Sequence, residues 1–183
     1  MSKKKFISEV LKSTGTIGAL SPSSSFLAKK MLEPIDFASA DCIVEFGPGT
    51  GVFTHKLLEK MKPDAKLLSF EINPSFIEEL QKIEDPRLIL INDSAEKIQD
   101  YLEQHHFASA DYIISSLPFA MIPDAVVHNI LTNSDNALSE NGKYIQFQYS
   151  LNAKKKLESY FSEVSINFTF LNLPPAFIYS CSK

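Results

Sequence analysis

From Cys42 onward, short runs rich in β-branched and aromatic residues alternate with stretches of helical periodicity. No other feature of the chain restricts its fold as much. Such alternation is the signature of βαβ units, because parallel strands need a crossover element to connect them. Seven runs read as strands: residues 42–46, 66–71, 88–92, 111–115, 143–149, 164–170 and 177–181. The helices between them carry start signals. Asn73-Pro74 places a capping side chain before a proline at the first helical position, and Asp93 or Ser94 can cap a segment ending near Gln104 in which Ile98, Tyr101 and Leu102 recur at helical spacing. Pro123 opens a further helix through Leu131, and residues 154–161 form a short one. The link Asn172-Leu173-Pro174-Pro175 is too short for a crossover helix, so the last two strands should pair antiparallel. The expectation is an α/β domain over residues 34–183, with a seven-stranded, mostly parallel sheet, an antiparallel last strand, and helices on both faces.

Where the first strand turns into a helix the chain reads Val44-Glu45-Phe46-Gly47-Pro48-Gly49-Thr50-Gly51. Glycines there let backbone approach a ligand and adopt conformations that a Cβ forbids. The spacing is G-x-G-x-G with Val52 following, which is neither the G-x-G-x-x-G of dinucleotide enzymes nor a phosphate loop ending in Lys-Ser/Thr. Three carboxylates fall where a nucleoside ligand needs them. Glu71, twenty residues past Gly51, ends the second strand and can accept from both ribose hydroxyls, with Ile72 beside it. Asp93 follows the third strand and can accept from an adenine amino group, beside the backbone N–H groups of Ser94 and Ala95. Glu45 lies two residues before Gly47, near the expected cationic end of the ligand. Each also has a structural reading: a tight turn for the glycines, a turn residue for Glu71, a helix cap for Asp93. Their placement at the ends of successive strands favours a ligand site, since ligands of open α/β sheets bind at the strands' carboxyl ends.

Composition removes several classes. At 44% hydrophobic and 22% charged the chain is that of an ordinary globular protein, and no apolar run approaches the ~20 residues that span a bilayer. No apolar core follows Met1-Ser2-Lys3-Lys4-Lys5, so a signal peptide is not expected and a cytoplasmic location is. Cys42 and Cys181 sit far apart in apolar runs and read as core residues, and no His, Cys or acidic cluster has metal-ligand spacing. His55 and His128 read as helix surface or packing residues, and His105-His106 as a helix end. Residues 1–33 form a separate extension with six lysines against two glutamates, a net +4, leaving −8 on the remainder of a chain of formal charge −4. Within it Phe6, Ile7, Val10 and Leu11 make a narrow apolar stripe, and a second helix is expected over residues 24–32. Such a basic amphipathic head suits reversible contact with an anionic membrane surface, or a lid over the ligand site. The acidic body opposes phosphate binding, so nucleic acid is not an expected partner.

The run Glu45 to Phe53, EFGPGTGVF, resembles the first motif of class I S-adenosylmethionine-dependent methyltransferases, in particular the ribosomal RNA adenine dimethylases and the bacterial phospholipid N-methyltransferases. Seven strands is also the count of that Rossmann-like sheet. Ile17-Gly18-Ala19-Leu20-Ser21-Pro22-Ser23-Ser24, Ser115-Ser116-Leu117-Pro118-Phe119, Ile145-Gln146-Phe147-Gln148-Tyr149 and Leu171-Asn172-Leu173-Pro174-Pro175-Ala176 resemble segments of the phospholipid enzymes. Two places depart from that pattern: Ser25 stands where an arginine is usual, and no Gly-Pro follows Tyr149.

The resemblance implies S-adenosylmethionine as methyl donor, S-adenosylhomocysteine as product and no metal. Its cofactor would be held by Glu45, Gly47, Pro48, Gly49, Gly51, Glu71, Ile72, Asp93, Ser94, Ala95 and Ser115. The adenine dimethylases assist their acceptor amino group with an Asn or Asp side chain and a backbone carbonyl of the fourth motif, where this chain has Ser116. A hydroxyl is a poorer acceptor. An alkyl amine has a localised lone pair and needs that help less, so the expected reaction is methylation of a phospholipid amine such as that of phosphatidylethanolamine. Tyr149 is the candidate to hold or deprotonate the amine, Phe119 to line its pocket, and the enzyme would be cytoplasmic or peripheral on the inner leaflet. The alternatives are an rRNA adenine N6-methyltransferase, or a cofactor-binding protein with another small-molecule acceptor or none.

Overall fold

The computed structural model describes residues 22–170, 172 and 174–183. The expected N-terminal stripe of Phe6, Ile7, Val10 and Leu11, and Lys3, Lys4, Lys5 and Lys12 of the basic head, lie outside the described residues.

Seven strands form one sheet: β1 (Cys42–Phe46), β2 (Lys66–Phe70), β3 (Leu88–Ile91), β4 (Ala110–Ser115), β5 (Leu138–Gln148), β6 (Glu163–Thr169) and β7 (Ala176–Ser182). Their spatial order is β3-β2-β1-β4-β5-β7-β6. The strands β1 to β5 pair parallel, and β7 runs antiparallel to both its neighbours. The antiparallel β6–β7 pair expected from the short proline link is therefore present, and β7 is inserted beside β5 rather than added at the edge. Observed strand limits match the expected ones within two residues except at β5, which begins five residues early. There Ala110 pairs with Leu138 before the register shifts. Gly142 fits this stretch because a Cβ would lie 3.0 Å from the Asp111 carbonyl.

The helices are α1 (Pro22–Leu32), α2 (Val52–Lys60), α3 (Pro74–Leu80), α4 (Ile98–Gln104), α5 (Asp124–Ala137) and α6 (Lys154–Leu157). Asn73 caps α3, its side chain accepting from the Ser75 N–H at 3.1 Å, and Pro74 occupies the first turn. Ser94 caps the short 3-10 turn that leads into α4. On one face of the sheet Leu27, Ala28, Met31 and Leu32 of α1 and Phe53, Leu57 and Leu58 of α2 pack against Ile43, Leu67 and Ile145. Thus α1, the described part of the 1–33 segment, shares that core. On the other face α4, α5 and Leu157 of α6 cover Val44, Leu68, Ile113, Tyr144 and Tyr179. Successive residues of β1 face opposite layers, yet all five are buried, as expected for a central parallel strand. Cys42 and Cys181 are free and buried, and burial pushes both thiols up to about 12. Among the described residues no helix is long and apolar enough to cross a membrane.

Candidate cofactor and acceptor site

The carboxyl ends of β1 to β4 enclose a cavity of about 290 Å³. Gly47 lies after β1, Glu71 and Ile72 after β2, Asp93, Ser94 and Ala95 after β3, and Leu117 after β4. Six of the expected cofactor residues are thus brought together. The remaining wall is apolar, from Phe70, Ile122, Val126 and Ile130, with Glu96 and Lys97 at its polar side. The sequence reading missed these last six. Val126 and Ile130 recur at helical spacing, which does not distinguish a cavity wall from core.

The glycine turn and Glu71 are one construction. Gly47, Gly49 and Gly51 have φ of 69°, 57° and 84°. Gly51 starts α2 in the left-handed region, and a Cβ there would lie 3.1 Å from Leu80 of α3. A Cβ on Gly47 would meet the Leu117 side chain at 3.1 Å, so the absence of one lets the β4 loop close the corner of the cavity. Glu71 draws the parts together: one carboxylate oxygen accepts from the N–H groups of Ile72 and Asn73, both at 2.8 Å, and the other from the Gly49 N–H at 3.2 Å. Burial raises its pKa, and those three N–H donors oppose the rise. Asp93 accepts from the Ser94 N–H at 2.8 Å and from Lys97 Nζ at 2.9 Å.

Glu45 does not line the cavity. Its carboxylate is fully buried behind the turn, with Oε2 accepting from Thr54 and Ser69 hydroxyls, both at 2.8 Å, and Oε1 without a hydrogen-bond partner. Burial pushes its pKa up to about 7 against the two hydroxyl bonds. A buried carboxylate with a spare oxygen is complementary to a nearby cation. Ser115 is also fully buried and accepts from the Leu117 N–H at 3.4 Å.

The residues expected on the acceptor side lie in the loop after β4 and just past the end of β5. Ser116 donates its backbone N–H to the Phe46 carbonyl at 2.9 Å, while its buried hydroxyl has no hydrogen-bond partner. The carbonyl of Leu117 accepts two side-chain amides, Gln146 Nε2 at 3.0 Å and Gln148 Nε2 at 2.9 Å. Gln146 is fully buried and is itself aligned by the Tyr144 hydroxyl at 2.9 Å. Neither glutamine was assigned a role from sequence. Their spacing of two on a central strand, which puts two polar side chains on one interior face, was the available signal. Phe119 is buried. Tyr149 follows β5, half exposed, with its ring 5.6 Å from that of Phe147. Its phenol is raised by partial burial, opposed by a hydrogen bond with Asn172. Neither Ser116, Phe119 nor Tyr149 lines the cavity between β1 and β4.

The profile of the family described as ribosomal RNA adenine dimethylase matches residues 23–160. The chain belongs to that family. A relative, the ornithine lipid N-methyltransferase of Singulisphaera acidiphila, is 25% identical over 179 residues, covering 96% of this chain and 93% of that one. The fold is also similar to that of the N-methyltransferase NodS from Bradyrhizobium japonicum, solved with S-adenosyl-L-homocysteine: TM-score 0.71 at 11% identity, covering 97% of this chain and 98% of the other. A precorrin-6y C5,15-methyltransferase from Geobacter metallireducens has a TM-score of 0.65 at 14% identity, covering 91% and 90% of the two chains. With the family, this Rossmann-like sheet identifies an S-adenosylmethionine-dependent methyltransferase.

Proposed function

We propose that the chain transfers methyl groups from S-adenosylmethionine to the primary amine of a lipid headgroup. In this reading the glycine turn from Gly47 through Pro48 to Gly51 receives the methionine end of the cofactor, and Glu71 accepts from its ribose. Asp93, Ser94 and Ala95 take the adenine edge, with Ile72 against the ring. Glu45 and Ser115 act from behind the wall, Glu45 through its charge. When bound, the cofactor supplies an activated methyl on a sulfonium, and the chain's task is to hold and desolvate an acceptor in line with it.

The filled Leu117 carbonyl carries the choice of acceptor. A carbonyl oxygen has two lone pairs, and here Gln146 and Gln148 take both. An adenine amino group, whose lone pair is conjugated into the ring, would find no acceptor at that carbonyl and only a serine hydroxyl beside it. An alkyl amine needs no such acceptor. Its difficulty is its charge: at a pKa of ~10.4, exposing the lone pair at pH 7 costs about 4 to 5 kcal/mol. A phenol raised above its usual range stays protonated at neutral pH, so Tyr149 holds the amine through its oxygen and ring face, and the proton leaves to water. The name of the ornithine lipid relative supports a lipid amine as the acceptor class.

The test offers methyl-labelled S-adenosylmethionine in parallel to vesicles of phosphatidylethanolamine, vesicles containing ornithine lipid, and unmodified ribosomal RNA. Label in either lipid phase is expected. Label in RNA with none in lipid would overturn the reading and leave Ser116 as a tolerated replacement for the usual acceptor.

A further inference from the structure

The carboxyl end of the sheet's second half carries an exposed apolar rim that the packing of the domain does not require. Phe170 is 75% exposed, Phe168 52%, Leu151 51% and Tyr149 50%. They come from two different crossings of the sheet yet stand at the same end of it. Gln148 pairs with Phe177 and Phe177 with Phe168, so the end of β5, the start of β7 and the end of β6 stand in line. Tyr149 and Leu151 continue from β5, and Phe170 from β6, on either side of that line. Phe168 is braced by Phe177, their ring centroids 4.9 Å apart, which holds a large apolar side chain in water rather than folding it away. Met121, after β4 at the same end of the sheet, is a further exposed apolar side chain. The three consecutive lysines of α6, Lys154, Lys155 and Lys156, begin after Leu151-Asn152-Ala153, and Lys154 lies 3.7 Å from Glu158 with both side chains half exposed. Lys156 is drawn toward Asp124 at the start of α5, again on the carboxyl side of the sheet.

We infer that this rim is the surface by which the enzyme seats itself on an anionic lipid bilayer, with Phe168, Phe170 and Leu151 entering the headgroup region and Lys154 to Lys156 meeting its charge. This rests on the lipid-amine reading. Aromatic side chains at the boundary between acyl chains and headgroups, next to lysines, are the composition that such a surface requires. The rim adjoins Tyr149, so an enzyme seated there presents its acceptor side to headgroups without drawing a lipid out into water.

The chain contains no tryptophan, so Phe170→Trp creates a single fluorescent reporter in the full-length protein. Its emission is expected to shift to the blue on vesicles containing anionic lipid and to be quenched by lipids brominated near the headgroup. Glu140→Trp, toward the opposite end of β5, is expected to do neither. The double variant Phe168→Ser/Phe170→Ser should lose vesicle binding roughly tenfold or more, since each phenylalanine removed forfeits its apolar burial. Its turnover of a dispersed short-chain aminolipid should be unchanged. A reporter blue-shifted before vesicles are added and unmoved by them would mean that another part of the chain covers the rim, and would overturn the inference. So would an equal response from Glu140→Trp, or a response to structured RNA but not to vesicles. If the dispersed aminolipid is methylated while the reporter ignores vesicles, the inference fails and the lipid-amine reading stands. If neither lipid form is methylated, that reading fails as well.

Discussion

The buried Glu45 carboxylate makes stability depend on pH in an unusual direction, and Glu45→Gln isolates the effect. Its pKa is pushed from 4.5 to about 7 in the fold, chiefly by burial. Because the folded value lies above the unfolded one, the folded chain retains the proton that the unfolded chain loses. The contribution of Glu45 to stability should be largest below pH 4.5, fall as pH rises through the interval to about 7, and be level above it. At about 1.4 kcal/mol per pH unit the fall amounts to about 3 kcal/mol. A glutamine can still accept from Thr54 and Ser69, but its amide nitrogen takes the place of the oxygen without a partner, at a cost of about 1 to 3 kcal/mol. That cost does not vary with pH, so the slope is the informative quantity. Urea unfolding followed by far-UV circular dichroism at pH 5, 6, 7 and 8 should show Glu45→Gln gaining on the parent steadily up to pH 7 and then holding. A difference that stays constant across that range would refute the claim that Glu45 is buried and titrating. The variant should also lose more affinity for S-adenosylmethionine than for S-adenosylhomocysteine, because only the former carries the sulfonium charge, and isothermal titration measures both.

Gly49→Ala should separate folding from binding: its φ is 57° and a Cβ there meets nothing within 4 Å, so the cost is about 1 to 2 kcal/mol in a urea melt. Because the proposed role of the turn is to receive the cofactor, the added methyl should also lower affinity at least about tenfold by titration. Arg87→Lys should do the reverse. Arg87 donates to the Leu58 and Met61 carbonyls at the end of α2, both at 2.7 Å, and pairs with Asp85, so the variant should lose about 1 to 2 kcal/mol of stability with cofactor affinity intact. On an aminolipid, kcat/KM should rise about tenfold per pH unit from pH 6 to 8, since only the neutral amine reacts. A flat profile would show that the enzyme removes the proton itself.

Most of the fold could be read before the structure because each strand of the parallel half is a short apolar run ending in a glycine, acidic residue or serine, and the helix starts carry Asn73, Ser94 and Pro123 as local signals. The limits of β5 were missed because Ser139, Glu140 and Asn141 look like a turn, and only pairing with β4 makes Leu138 part of the strand. The half of the candidate site around the cavity was legible for a related reason: Glu71 directly follows β2 and Asp93 comes two residues after β3, so position in sequence reports position in space. Gln146, Gln148 and Leu117 were not, because their roles arise from a contact between strand and loop some thirty residues apart that involves a backbone carbonyl. A carbonyl has no sequence signature.

The insertion of β7 between β5 and β6 sets an order of assembly. Strands β1 to β4, with the glycine turn, Glu71 and Asp93, all lie within residues 42–115, where β1 reaches across to β4, Ile43 pairing with Tyr112. β5 acquires its second neighbour only when the last strand has been made, and β6 has nothing to pair with until then. A chain emerging from the ribosome therefore has all four strands around the cavity before β7 is made. The strand that carries Gln146 and Gln148 is the one that waits for the chain's last strand.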